Sequence, residues 1–184
     1  IKPKKSLGQN FLIDQNIIDK IISNTNVQNQ NIVEIGPGTG NLTLNILKQK
    51  PKSLILIEKD KNLSSLLREK IGKNKIIQIF NSDILKFDIE KKIKKNSIIV
   101  GNLPYNISTQ ILVNLIKFNQ WPPKFNKLIL MFQKEVAEKI TAKHNTKNYG
   151  RLTIVSKWRL KVINEINVSK NCFFPKPKVD SKVL

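Results

Sequence analysis

The sequence predicts an α/β domain built on a doubly wound, mostly parallel sheet with helices on both faces. Two observations lead to this prediction. Short runs of consecutive Ile, Leu and Val recur along the chain, as is typical of strands buried on both faces. Segments with apolar residues at helical spacing alternate with these runs, and such alternation favours parallel strands joined by helices.

The individual elements follow from the same patterns. Strands are predicted at 31–35, 53–57, 75–80, 97–100, 127–132 and 161–168. Helices are predicted from the N-cap Asp14, after the turn at 36–40, over 60–71, over about 107–119, up to about 143 and over 152–160. A proline-rich loop near the end leads into the start of one more strand. The predicted division is a basic N-terminal arm, 1–13, and a folded domain, 14–184.

Composition limits the class of protein. The 184 residues, 40% of them hydrophobic, fit one domain with a sizeable core. No apolar run approaches the ~20 residues needed to cross a bilayer, so no membrane segment is expected. The single Cys172 rules out a disulfide framework and a zinc cluster and fits a reducing compartment, so we expect a cytoplasmic protein without a structural metal.

The formal net charge of +20 favours a polyanionic partner such as nucleic acid, bound through its phosphates. Of the 33 basic residues only three are Arg: Arg68, Arg151 and Arg159. Base-reading surfaces usually depend on the planar fork of Arg, so the charge indicates no sequence readout.

A glycine-rich turn and two acidic residues follow three successive predicted strands. Open α/β sheets bind ligands at the carboxyl ends of their strands, which is where Gly36 and Gly38 lie. Glu58 ends the second strand, where its carboxylate can accept hydrogen bonds from ribose hydroxyls, and Asp83 follows the third, where it can accept one from a base amine. Together they predict a nucleoside pocket. Separately, the turn could be only a tight turn, and each acid could simply cap the next helix.

The segment Asn102-Leu103-Pro104-Tyr105 follows the fourth strand, which lies beside the first in a doubly wound sheet. A nucleobase amine is a poor nucleophile because its lone pair is delocalised into the ring. The Asn102 side-chain oxygen and the Leu103 carbonyl can accept its N–H groups and direct the lone pair at a methyl donor. Pro104 restrains Leu103 to an extended conformation, and Tyr105 offers a ring for the base to stack on. The alternative is a turn with a core tyrosine.

Six short motifs and two single acidic residues, in a fixed order along the chain, make the sequence recognisable. The chain resembles the KsgA (RsmA) family of rRNA adenine N6,N6-dimethyltransferases, which is related to the Erm resistance methyltransferases. The resemblance runs over essentially the whole chain, through 8–12, 34–38, Glu58, Asp83, 101–108, 133–135, 149–152 and 173–181. It implies a Rossmann-like class I methyltransferase domain that uses S-adenosylmethionine and yields S-adenosylhomocysteine.

The resemblance also implies roles that spacing alone does not reveal. Asn10 and Leu12 of the arm would belong to the cofactor pocket together with Asn102. Phe173, or its neighbour Phe174, would sandwich the target adenine against Tyr105. The implied substrate is a pair of adjacent adenosines near the 3′ end of small-subunit (16S) rRNA, each methylated twice. The basic arm residues Lys2, Lys4 and Lys5 would hold RNA phosphates.

Family members continue into a small helical domain that this chain lacks, so we expect the natural protein to be longer, and we expect it to be a monomer. Three alternatives differ in function. An Erm-type enzyme would act on large-subunit rRNA, although Asn102-Leu103 and 149–152 favour the small-subunit side. A non-catalytic RNA-binding assembly factor would have no need of Asn102, Tyr105 and Gly36. A dehydrogenase is disfavoured by the glycine spacing and by the lack of a catalytic His or Lys.

Overall fold

The computed structural model describes residues 3, 4 and 7–184, and its centre is a seven-stranded sheet. The strands are β1 Phe11–Leu12, β2 Asn31–Ile35, β3 Ser53–Glu58, β4 Ile77–Asn81, β5 Ser97–Asn102, β6 Phe125–Gln133, β7 Ile166–Val168, β8 Phe173–Phe174 and β9 Ser181–Val183. The order in the sheet is β4-β3-β2-β5-β6-β9-β7, and the first five of these run parallel. Only β9 is antiparallel to both of its neighbours. The predicted doubly wound, mostly parallel sheet is therefore confirmed.

The helices cover both faces of this sheet. They are α1 Gln15–Ser23, α2 Asn41–Lys48, α3 Lys61–Ile71, α4 Ile89–Lys92, α5 Ser108–Ile116, α6 Lys134–Thr141 and α7 Arg151–Arg159. Asp14 caps α1 as predicted, since its carboxylate accepts a hydrogen bond from the Ile17 N–H at 3.0 Å. The ambiguous segment 152–160 is indeed helical, as α7. No helix in the described part of the chain is long and apolar enough to span a lipid bilayer.

The continuous apolar strands are explained by a separate core on each face of the sheet. Successive side chains of a strand point to opposite faces. In β5, Ile98 and Val100 belong to the core under α1 and α2, whereas Ile99 belongs to the core under α5 and α6. A strand buried on both faces cannot alternate apolar with polar residues, which is why the sequence shows unbroken runs.

The structure differs from the predicted elements at the sheet edge and in the arm. Of the strand predicted at 161–168, only β7 forms, because β9 pairs only with Ile166 to Val168. Ile163 is 74% exposed there. The arm is not separate from the domain, because β1 pairs antiparallel with β8 in a two-stranded ladder. Two-residue strands carry no periodicity that a sequence pattern could reveal.

We predict that Ile99→Ala lowers the free energy of unfolding by about 3–4 kcal/mol, because the fully buried side chain leaves a cavity in the central strand. Urea unfolding measures this loss. The matched control is Ile154→Ala, which removes the same atoms from a side chain that is 56% exposed on α7 and should cost less than about 1 kcal/mol. Equal losses in the two variants would contradict the two-core packing.

Candidate active site

A cavity opens at the carboxyl ends of the parallel strands. Its walls come from the ends of β2, β3 and β5, from the loop after β4 and from arm residues 7–12. The predicted residues that line it are Asn10, Leu12, Gly36, Gly38, Glu58, Asp83, Asn102, Leu103, Pro104 and Tyr105. The fold therefore brings the predicted nucleoside pocket and the segment 102–105, referred to below as the chemistry loop, to one cavity.

The glycine turn connects β2 to α2 and takes a left-handed backbone, with φ of 67° at Gly36 and 59° at Gly38. The Gly36 N–H donates to the Ile57 carbonyl at 2.9 Å, which ties the turn to the end of β3. A side-chain carbon at Gly38 would lie 2.9 Å from the ring of Phe11, so the arm packs directly on the turn. Glycine is needed here for conformation and for this close approach of the arm.

Glu58 is 6% exposed at the end of β3, and both of its carboxylate oxygens accept backbone hydrogen bonds. One accepts from the Gly38 N–H at 3.0 Å and the other from the Asp60 N–H at 2.8 Å. Burial raises the pKa of Glu58, although these two N–H donors act in the opposite direction. Glu58 therefore shapes the glycine turn, and its carboxylate oxygens have lone pairs with which they can also accept from a ligand hydroxyl.

Asp83 lies after β4. The sequence left open whether its carboxylate caps the next turn or faces a ligand, and the structure is compatible with both. Its carboxylate caps the next turn by accepting from the Leu85 N–H at 3.0 Å, and it forms a 2.9 Å ion pair with Lys59. The hydrogen bonds from Lys59 and from Leu85 lower the pKa of Asp83, so the side chain is an anion at neutral pH. It caps a turn and also lines the cavity.

The chemistry loop lies directly beside the glycine turn. A side-chain carbon at Gly36 would be 3.7 Å from the Asn102 carbonyl oxygen. The Tyr105 hydroxyl shares a 2.6 Å hydrogen bond with the Ser181 hydroxyl, which fixes the ring at the cavity wall. Within residues 3–4 and 7–184, no turn or loop backbone hydrogen bond ends on the Leu103 carbonyl, and Leu103 lines the cavity.

The N-terminal arm closes one side of the cavity and is attached to it by Asp60. The Lys4 ammonium lies 2.9 Å from the Asp60 carboxylate, and the Gln9 side-chain amide donates to the same oxygen at 3.1 Å. Lys4, predicted to hold RNA phosphate, is therefore paired within the protein. Lys2 and Lys5 lie outside the described residues.

Sequence reasoning did not identify Asp60, although its position just before α3 is a recognisable N-cap signal. Its second oxygen does cap that helix by accepting from the Asn62 N–H at 2.9 Å. Burial alone would raise the pKa of Asp60, but the hydrogen bonds from Lys4, Gln9 and Asn62 outweigh it and lower the pKa. One carboxylate thus starts a helix and anchors the arm.

The structure does not bring Phe173 to the cavity. Its ring is 3% exposed and belongs to the core that also contains Leu12, its partner in the β1–β8 ladder. A buried position is what the apolar character of phenylalanine alone suggests. In this conformation the ring has no free face on which a base could stack. Phe174, opposite Phe11 in the ladder, is 60% exposed. A stacking role for Phe173 stays a prediction and requires its ring to leave the core.

Glu34 is a buried acid that sequence reasoning noted without giving it a role. It is 2% exposed in β2, and its carboxyl accepts a 2.6 Å hydrogen bond from the Thr43 hydroxyl of α2. Burial raises the pKa of Glu34 to about 8 despite that hydrogen bond, and the negative charge of Glu58 contributes in the same direction. Glu34 is thus protonated at neutral pH, and it lines the cavity as a neutral acid.

We predict that Glu34→Gln removes a pH dependence of stability. Because the pKa in the folded state is about 8 against 4.5 when unfolded, only the unfolded chain ionises between these values. The wild-type free energy of unfolding should therefore fall as pH rises from about 4.5 to about 8, by up to ~1.4 kcal/mol per pH unit. The variant should not show this fall in urea unfolding at pH 5, 7 and 9, and parallel pH profiles of the two proteins would contradict the assignment.

Comparison with known proteins agrees with this geometry. The profile of the family described as Ribosomal RNA adenine dimethylase matches residues 1–184. The chain is 49% identical over 187 residues to the Ribosomal RNA small subunit methyltransferase A of Pelagibacter ubique, and the match covers 100% of this chain and 70% of that protein.

Solved structures show the same relationship. A dimethyladenosine transferase from Plasmodium falciparum superposes with a TM-score of 0.79 at 34% identity, covering 94% of this chain and 61% of that one. The 23S rRNA methyltransferase ErmE superposes with a TM-score of 0.72 at 28% identity, covering 95% of this chain and 69% of that one. The match over every residue, together with the cavity described above, shows that this chain belongs to the ribosomal RNA adenine dimethylase family.

Proposed function

We propose that this chain transfers methyl groups from S-adenosylmethionine to the N6 amines of two adjacent adenosines near the 3′ end of small-subunit rRNA. S-adenosylmethionine is the methyl donor of the family. One observation supports the proposal above all. The same cavity is lined by two acidic residues suited to bind a nucleoside, Glu58 and Asp83. It is also lined by two residues that can accept hydrogen bonds from an amine, Asn102 and Leu103. A pure RNA-binding factor would need neither set.

The residues of the cavity fit this cofactor by their chemistry. Glu58 can accept both ribose hydroxyls, and Asp83 can accept a hydrogen bond from the adenine amine of the cofactor. Arm residues Asn10 and Leu12 would close the pocket over it. When bound, S-adenosylmethionine supplies a methyl group on a positively charged sulfur and leaves as S-adenosylhomocysteine.

The chain's own residues would make the target amine nucleophilic. In the first transfer the Asn102 side-chain oxygen and the Leu103 carbonyl would accept the two N–H groups, which favours a tetrahedral nitrogen with a localised lone pair. In the second transfer one N–H remains, and one of these acceptors would hold it. The bound cofactor would supply the methyl group for the new N–C bond, and its sulfur would keep the electron pair of the S–C bond. The methylated nitrogen then releases its proton, so no side chain has to act as a general base before transfer. His144, the only histidine, lies outside the cavity lining.

A small-subunit target is supported by the degree of sequence identity to relatives with different named targets. The relative at 49% identity is named for the small subunit, whereas the structural relative ErmE, at 28% identity, is named for 23S rRNA. Action as a monomer and in the cytoplasm are further parts of the proposal. The one cysteine, Cys172, is buried and free, which fits a reducing compartment.

Mass spectrometry of rRNA tests the proposal directly. Small ribosomal subunits lacking the modification, incubated with the protein and labelled S-adenosylmethionine, should gain four methyl groups on two adjacent adenosines of the small-subunit rRNA. Label on large-subunit rRNA would favour the Erm-type alternative. No label on either RNA, with the cofactor bound, would favour a non-catalytic factor.

Asn102→Ala is the matched inactive variant. We expect it to lower the rate of methyl transfer by at least about a hundredfold, since it removes one of the two acceptors of the amine. Calorimetry should find S-adenosylmethionine bound within a few-fold of wild type, because Glu58 and Asp83 are unchanged. Near-normal turnover would contradict the assigned role of the loop.

The two phenylalanines before Pro175 can be separated by a matched pair of variants. Following the family resemblance, we propose that Phe173 turns out of the core to sandwich the adenine against Tyr105. Phe173→Leu keeps an apolar side chain but should lower turnover about tenfold by loss of stacking, whereas Phe174→Leu should not. Melting temperatures measured in parallel identify any effect of unfolding. The reverse pattern would assign the stacking ring to Phe174, which is already exposed.

A further inference from the structure

A hydrogen bond with a defined direction joins the arm to the chemistry loop. The side-chain Nδ2 of Asn102 donates to the backbone carbonyl of Asn10 at 2.8 Å, across 92 residues of sequence. A carbonyl oxygen can only accept, so the contact itself determines which end of the Asn102 amide faces the arm. The NH₂ group is engaged by Asn10, which leaves the side-chain oxygen for the other side of the planar amide.

This orientation matters for the chemistry of the loop. An Asn side chain turned by 180° about its last torsion occupies the same space but exchanges an acceptor for a donor. A donor facing the target amine could not accept its N–H group and would disfavour the tetrahedral nitrogen. Correct rotation of Asn102 is therefore as necessary as its presence.

The arm backbone just before the Asn10 carbonyl packs closely against the chemistry loop. Gly8 has a φ of 62°, and a side-chain carbon added there would lie 3.1 Å from the Asn106 side-chain oxygen and 3.6 Å from the Cβ of Pro104. The Asn10 side chain donates to the Gly8 carbonyl at 3.3 Å and closes the turn between them. The arm backbone therefore packs against the same loop whose first side chain it orients.

The far end of the arm is anchored to the domain by two further hydrogen bonds. The Asn41 side chain, at the start of α2, donates to the Leu12 carbonyl at 2.8 Å. The Ile13 N–H donates to the Cys172 carbonyl at 2.9 Å. The contact between Asn10 and Asn102 thus depends on the whole arm being seated.

We propose that the backbone carbonyl of Asn10 is a positioning group for methyl transfer, which holds the Asn102 amide with its oxygen toward the acceptor amine. This inference rests on the proposed function and assigns to the arm a role beyond lining the cofactor pocket. When the arm packs over the cofactor, it also turns the Asn102 side-chain oxygen toward the amine. An enzyme with a displaced arm would keep every catalytic side chain and still transfer methyl groups slowly.

Gly8→Ala tests the positioning role; it adds a methyl group at one lining position and leaves the side chains of Asn10 and Asn102 unchanged. The added carbon and the left-handed backbone should displace the arm from Asn106 and lengthen the contact between Asn10 and Asn102. We expect the single-turnover rate, with cofactor and small subunits both saturating, to fall about tenfold or more. The control is Gly72→Ala, at a glycine that also has a positive φ, of 65°, but has no atom within 4 Å of the added carbon. Its rate should equal that of wild type.

A spectroscopic readout separates positioning from general loosening of the fold. In the ¹⁵N-asparagine-labelled protein, the Asn102 side-chain NH₂ signals are identified by their loss in Asn102→Ala. They should exchange slowly with solvent in wild type and in Gly72→Ala, and rapidly in Gly8→Ala.

Rapid exchange in wild type would overturn the proposal, as would a wild-type rate in Gly8→Ala with the Asn102 amide unprotected. Absence of methylation by the wild-type protein would count against the proposed function alone. The exchange measurement would still decide whether Asn10 holds Asn102.

Discussion

The parallel pairing of β2 with β5 is the constraint on which the rest of the structure depends. The chain leaves β2 to build β3 and β4 on one side and then returns to place β5 on the other side of β2. Loops that follow two such neighbouring strands diverge in opposite directions, and a crevice opens between them. The glycine turn after β2 and the loop after β5 are the two sides of that crevice. Residues 66 positions apart, Gly36 and Asn102, become neighbours for this reason.

The sheet and most of the site could be predicted because both depend on strong local patterns. Unbroken apolar runs identify doubly buried strands, and in a parallel sheet the residues after each strand must gather at one edge. Gly38, Glu58, Asp83 and Asn102 could therefore be placed in one cavity from sequence alone. The physical reason is that the topology, and not the detail of side-chain packing, decides where strand ends lie.

What could not be predicted depends on contacts between distant, irregular segments. The arm pairs with β8 across more than 160 residues through two residues on each side, and no periodicity marks so short a ladder. Phe173 and Phe174 are adjacent and chemically identical, and only this ladder decides that one faces the core and the other the solvent. The protonated state of Glu34 likewise follows from its complete burial, which its position before a glycine turn does not reveal.

The ion pair between Lys4 and Asp60 has a consequence for how this strongly basic protein meets RNA. The Asp60 carboxylate pairs with the Lys4 ammonium, which could otherwise form an ion pair with a phosphate of a nucleic acid. A phosphate can gain Lys4 only by displacing this carboxylate, and Asp60, which is 4% exposed with the ion pair formed, would then lose one partner. The net attraction of that lysine for RNA is therefore smaller than its charge suggests.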